Sequence, residues 1–245
     1  MARENEEKRR KSMKLLVVDT SGPVCGTAVM DGERVRSEIT AQNKNTHSAS
    51  LMPMVEKSLE IAGLTLAEMD ALAVVTGPGS FTGVRIGVAT AKALAHGSGK
   101  PCIPVNALEA LARSAAPKCL QAMICPMQDA RAGQVYAAAF LEGERMTADT
   151  AIRLEDWLEQ VRNLHDGPWM FTGDGAAVHR ERIRELMGED ALFAEGPFGY
   201  LRPSAAGLLA LEKGEPSDYT HLKEVYLRPP NAEKNKKLLE AMRHG

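Results

Sequence analysis

Between Ala71 and Ala95 the chain passes from an unbroken apolar run, ALAVVT, through GPGSFTG and into VRIGVATAKALA. A buried strand that stops at glycine and resumes as a helix of small residues forms a strand–turn–helix unit. Units of this kind build sheets whose faces are covered by helices. An all-β or all-helical fold cannot accommodate it.

The flanking segments extend this pattern. KLLVVDT (Lys14 to Thr20) reads as a buried strand, followed by GTAVM and RVRSEITA on either side of Asp31-Gly32. Asp-Gly between two such runs is a hairpin signal, with positive φ expected at both central residues. In THSASLMPMVEKSLEIAG, Leu51, Val55, Leu59 and Ala62 share one helical face; Thr46 is the expected N-cap, Gly63 the stop, and Pro53 falls in the first turns. Thr65 and Glu68 have capping-box spacing. A helix from Thr82 to about Ala95, a strand PCIPV and a helix NALEALARSA complete the order β-β-β-α-β-α-β-α over residues 14–116. Pro117 marks the expected boundary.

Residues 117–230 read as a second, smaller α/β lobe. Two strands meet at a turn containing Asp129, Ala130, Arg131 and Gly133; IRLEDWLEQVRNL is an amphipathic helix; PWMFTGDGA is a strand ending in a second glycine turn; and SAAGLLALEKG is a late helix. The charged leader, residues 1–13, and the polar tail, 231–245, are expected to be mobile.

Composition narrows the function. With 245 residues, 44% hydrophobic, the chain can bury a substantial core. Thirty basic residues against 32 acidic ones leave a formal charge of −2, so no broad attraction for nucleic acid is expected. Cys25, Cys102, Cys119 and Cys125 match no CxxC zinc or redox spacing and are expected to be buried thiols. No apolar run approaches a membrane span, and the leader lacks a signal-peptide core, so a cytoplasmic protein without membrane contact is expected.

The glycine-rich segment supports two readings. Gly77, Gly79 and Gly83 with Ser80 and Thr82 place flexible backbone before a helix N-terminus, where an anion is at home. The segment nevertheless lacks a Walker lysine and does not have G-x-G-x-x-G spacing, so a purely structural connection is the other reading. Asp19, Thr20 and Ser21 end the first strand, where actin-like ATPases contact phosphate; a plain turn is the alternative. In the helix, Gly87, Ala91 and Ala95 recur at i, i+4, i+8, flanked by Val84 and Val88. That smooth stripe suits either a second helix or the chain's own sheet. His47 is expected to bond local backbone, and Asp129 with Arg131 to form an ion pair on the hairpin. Neither Gly-x-Ser-x-Gly nor His-Glu-x-x-His is present.

LLVVDTS, HSASLMPMVEKSLE, VVTGPGSFTGVRIGVATAKALA, QDARAGQVYAAAF and YLRPP together resemble the TsaB (YeaZ) family of bacteria, over about Lys14 to Pro230. The resemblance implies a two-lobed α/β fold of the actin/Hsp70/sugar-kinase (ASKHA, ribonuclease H-like) kind with mixed sheets flanked by helices. It also implies a role in making threonylcarbamoyladenosine at position 37 of tRNAs that read A-starting codons. In that pathway the catalytic relative TsaD transfers the threonylcarbamoyl group to N6 of adenosine, with the ATPase TsaE as a further partner and tRNA contacted through the complex. The His-x-x-x-His metal pair of TsaD-like chains aligns with Ala107 and Leu111, which cannot ligate a metal. The expectation is therefore a non-catalytic subunit that needs no metal or cofactor. Its interlobe cleft should be closed or poorly formed, and it should dock TsaD, or a second copy as a homodimer, through Leu51, Met54, Val55, Val84, Gly87, Val88, Ala91 and Ala95. The alternatives are an ATPase or small-molecule kinase that uses Asp19, Thr20, Ser21, the Gly77 loop and the Gly173-Asp174-Gly175 turn, or a glycoprotease-like metallopeptidase with no ligand set in the sequence.

Overall fold

A computed structural model describes residues 10, 12–43, 46–115 and 121–228. Pro117, Cys119, the tail from 231 and most of the leader lie outside the described residues. The first sheet has the order β3-β2-β1-β4-β5, from β1 (Lys14–Asp19), β2 (Cys25–Asp31), β3 (Arg34–Ala41), β4 (Ala71–Gly77) and β5 (Cys102–Asn106). β1 pairs antiparallel with β2 and parallel with β4. The hairpin forms where Asp31-Gly32 indicates, but Asp31 pairs with Arg34 as the last residue of β2. Its central residues are therefore Gly32 and Glu33, and only Gly32 has positive φ, 56°.

β1 and β4 are buried on both faces, and alternate residues feed two cores. Leu16, Val18, Leu72 and Val74 pack under α1 (His47–Ala62) and α2 (Phe81–Ser98). Leu15, Val17, Ala71 and Ala73 pack on the opposite side with α3 (Ala107–Ala115) and α7 (Pro203–Lys213). α1 stops at Gly63, which takes the left-handed conformation the sequence requires there.

The second sheet repeats the order of the first, β10-β7-β6-β11-β12. Its strands are β6 (Met123–Asp129), β7 (Gln134–Ala137), β10 (Thr150–Arg153), β11 (Trp169–Thr172) and β12 (Ala191–Phe193), with the short β8 (Phe140–Leu141) paired to β6 and β9 (Glu144–Arg145) paired to β8. Trp157 on α4 (Leu154–Leu164) and Phe171 on β11 are fully buried at its centre. The repetition extends to atoms at the strand ends. Ser21 N–H donates to Asp19 Oδ1 at 2.9 Å after β1, and Arg131 N–H donates to Asp129 Oδ1 at 2.9 Å after β6. The two sheets with their helices give a two-lobed α/β architecture of mixed sheets flanked by helices.

Three helices depart from the sequence reading. α5 (Asp174–Val178) and α6 (Arg180–Met187) fill a stretch for which no helix is foreseen. The late helix, α7, belongs to the first lobe: Ala206, Leu209 and Ala210 pack with Leu15, Val17 and Met30. Gly207 fits there because a Cβ would stand 2.1 Å from Met30 Sδ. Glu38 of β3 fixes the start of this helix, accepting from Ser204 N–H at 2.9 Å, from Ser204 Oγ–H at 2.8 Å and from Arg202. A polar cluster fastens the lobes on the opposite flank. Asn106 and Arg145 both donate to Asp149, and Glu109 accepts from Arg145 at 3.4 Å and from Lys213 at 2.8 Å.

Candidate functional site

The strand ends of both sheets meet at a cleft of about 620 Å³. The first lobe contributes Ser21, Gly22, His47, Gly79, Ser80 and Thr82; the second contributes Gln128, Asp129, Arg131, Tyr136 and Asp174; Tyr226 and Arg228 come from the segment after α7. The expectation of a closed or poorly formed cleft is thereby corrected. Each lobe ends its first strand in a turn whose backbone N–H donates to the carboxylate at that strand's end.

The glycines of the loop are explained by contact with Asp19-Thr20-Ser21. A Cβ on Gly79 would lie 2.4 Å from Ser21 O, one on Gly83 2.1 Å from Thr20 O, and one on Gly87 2.4 Å from Thr20 Oγ1. Real Cβ atoms do not approach this closely, so the backbone of the loop and helix can reach the turn only without side chains. The polar groups of the loop are spent within the chain. Ser80 N–H donates to Ser21 O at 2.8 Å, Gly83 N–H to the Ser80 Oγ cap at 3.2 Å, Val84 N–H to Ser80 O at 2.8 Å, and Thr20 Oγ1–H to Gly83 O at 2.7 Å. Of the four N–H groups at the start of α2 that have no intrahelical acceptor, those of Ser80 and Gly83 are thus already paired.

His47 bonds backbone as expected, but that of Gly22, 25 residues away, rather than the local backbone of its helix start. Its Nε2 lies 2.9 Å from the Gly22 carbonyl, which can only accept, so Nε2 carries the proton. The Asp129–Arg131 pair spans 3.5 Å, but the Arg131 side chain is 87% exposed. The backbone bond to Asp129, rather than this ion pair, fixes the turn.

Two carboxyls in the strand-end turns are forced upward by burial. Desolvation raises Asp19 to about 6 against the opposing hydrogen bonds from Ser21. Desolvation likewise raises Asp174 to about 6, offset by the Asp129 N–H and reinforced by the Asp129 charge. Both line a small inner cavity beside Gln128, a buried residue whose Oε1 has no hydrogen-bond partner among the described residues. Cys25 and Cys102 are held up at about 11 and Cys125 higher still, each chiefly by burial, so these thiols stay protonated. Among the described residues, no three His, Cys, Asp or Glu side chains converge as a metal site, and no helix is long and apolar enough to cross a membrane.

The named interface residues point the other way from the expectation. Val84, Val88, Ala91 and Ala95 are 0% exposed, and Leu51, Met54 and Val55 are also buried, all in one core with Leu16, Val18 and Val74. Gly87 is buried against Thr20. The stripe lies flat on the chain's own sheet because β1 and β4 are themselves buried on both faces. The outward face of α2 carries a second stripe that the sequence reading passed over: Ala89, Ala93 and Gly97 are exposed at i, i+4, i+8, beside the half-buried Ile86, Thr90 and Leu94. Its signal was available in the same helix, since a helix with small residues on two faces can pack on both.

The comparisons agree with this architecture. The family model for TsaD, tRNA N6-adenosine threonylcarbamoyltransferase, matches residues 34–210. The tRNA threonylcarbamoyladenosine biosynthesis protein TsaB of Bacillus subtilis is 33% identical over 225 residues, covering 90% of this chain and 96% of that protein. Its counterpart in Escherichia coli is 29% identical, covering 88% and 95%. The chain belongs to the TsaB (YeaZ) family. The solved structure of YeaZ from Pseudomonas aeruginosa matches with a TM-score of 0.70 at 25% identity, over 88% of this chain and 100% of that one.

Ala107 and Leu111 are buried on α3, in the core that also holds Ala73, Val105 and Ala110.

Proposed function

We propose that this TsaB-family chain is a non-catalytic subunit that docks a TsaD-like transferase through the outer faces of α1 and α2, and so supports threonylcarbamoylation of N6 of adenosine in tRNA. The observation that carries this reading is the exposed Ala89–Ala93–Gly97 stripe on a helix whose other face is already packed. Small residues allow a partner helix to approach closely, so that dispersion contacts accumulate. On α1, Pro53, Glu56, Lys57 and Ile61 are exposed, and Ile61 is 57% exposed, which adds an apolar edge. Ala107, Leu111 and the self-paired glycine loop support a role without chemistry of its own. A TsaE-like ATPase, and a homodimer in the absence of TsaD, complete the proposed partners, with tRNA reached through the complex.

The test adds this chain, or its Ala93→Arg variant, to TsaD, TsaE and tRNA. Wild type should raise modification and the variant should not. Equal stimulation by both would remove the docking face, and no stimulation by either would remove the subunit role.

The cleft favours a second reading, an ATPase or kinase. Ser21 and Asp174 line it together, and Asp19 meets Asp174 at the small inner cavity, whereas Thr20 lines neither.

A further inference from the structure

The segment after α7 takes an ordered course over the glycine loop. Ser217 exchanges both backbone hydrogen bonds with Cys102 at the edge of β5, at 2.8 and 2.9 Å. Leu222 is buried in the core under α1 and α2. Val225 N–H then donates to Thr76 O at 2.8 Å, and Val225 O passes so close that a Cβ on Gly77 would stand 2.7 Å from it. The first glycine of the loop, at φ 111°, is therefore required by this crossing chain rather than by an anion.

Tyr226 lands on Phe81 with ring centroids 4.9 Å apart, and its hydroxyl accepts from Arg85 Nε–H at 2.9 Å. The same guanidinium lies 3.8 Å above the Phe81 ring. Arg228 reaches the second lobe and donates to Ala130 O at 2.7 Å. Between Thr76 and Ala130 the segment thus spans the mouth of the cleft, and Tyr226 and Arg228 form part of its wall.

We infer that Leu222–Arg228 is a strap fastening the two lobes across the cleft, with Arg85 as its latch, and that a protein docked on the outer face of α2 tightens it. Arg85 is exposed on α2 one turn before Ala89, at the rim of the proposed docking face. Covering that rim removes water from the Arg85–Phe81–Tyr226 cluster, and both the cation–π contact and the hydrogen bond strengthen in lower dielectric. The coupling rests on the docking reading, whereas the strap itself does not.

Amide hydrogen exchange on the full chain tests both parts. In the free protein, Arg85→Ala should speed exchange at Val225 and its neighbours by roughly tenfold while β1 and β4 exchange as before. Arg228→Ala should do the same at the strap and loosen the Ala130–Gly133 turn. Wild-type rates in both variants would overturn the strap. With the TsaD-like partner added, strap exchange should slow severalfold in wild type and stay unchanged in Arg85→Ala that still binds. Equal slowing in both would overturn the role of Arg85. No binding by wild type would overturn the coupling together with the docking reading, and the free-chain rates would then decide the strap alone.

Discussion

Gly87→Ala tests how α2 sits on its sheet. The added methyl would stand 2.4 Å from Thr20 Oγ1 and 3.7 Å from Val18 Cγ1, with Thr20 wholly buried. Either the helix lifts off the sheet, or Thr20 turns and surrenders its 2.7 Å hydrogen bond to Gly83 O. Overpacking of this kind costs about 1–3 kcal/mol, and a buried polar group left unpaired costs about 1–3 kcal/mol more. Replacing glycine inside a helix returns only about 1 kcal/mol. A net loss of about 1–5 kcal/mol is expected, which for a chain of this size lowers Tm by roughly 2–20 °C. Thermal and urea unfolding followed by circular dichroism, with an unchanged m value, would register it. A Tm equal to or above that of wild type would refute the close approach of α2 to the Asp19-Thr20-Ser21 turn.

Two further outcomes follow from the buried acids and the occupied loop. Asp19 stands at about 6 when folded, above its ordinary 3.8, so the folded state binds its proton more tightly than the unfolded chain. Its contribution is complete below pH ~4 and is lost as pH rises through 6, on the order of 2–3 kcal/mol in total. Urea midpoints for wild type should accordingly fall relative to Asp19→Asn between these pH values, and parallel profiles would contradict the burial argument. Calorimetry of Mg-ATP on the isolated chain should show no saturable heat, because Ser80 and Gly83 N–H already have partners; binding with turnover would favour the kinase reading.

Most of the first lobe is legible in the sequence because its signals are local. Asp31-Gly32, Gly63 and the Thr65–Glu68 box each act through neighbours a few residues away, and all three sit at element ends in the fold. What could not be read depends on distant contacts. The direction of the Gly87–Ala91–Ala95 stripe is decided by Thr20 and Val18, which are far away in the chain, and helical periodicity gives a face without saying what covers it. α7 reads as part of the second lobe because it follows it, yet Glu38 and Met30 draw it onto the first sheet. α6 escapes notice because five of the eight residues of RERIRELM are charged, with Ile183 and Met187 alone buried at i, i+4. For the candidate site, the Asp19 and Gly77 motifs were visible, but the crossing of Val225 over Gly77 joins residues 148 positions apart in the chain.

The decisive measurement is the affinity of Ala93→Arg for the TsaD-like partner, titrated beside wild type, with Tm recorded for both. Ala93 is exposed on the outward stripe, so the variant should keep the wild-type Tm. A long charged side chain in the middle of a close helix contact should weaken binding by on the order of 100-fold, or ~2.7 kcal/mol. Wild-type affinity in the arginine variant would place the partner elsewhere on the molecule.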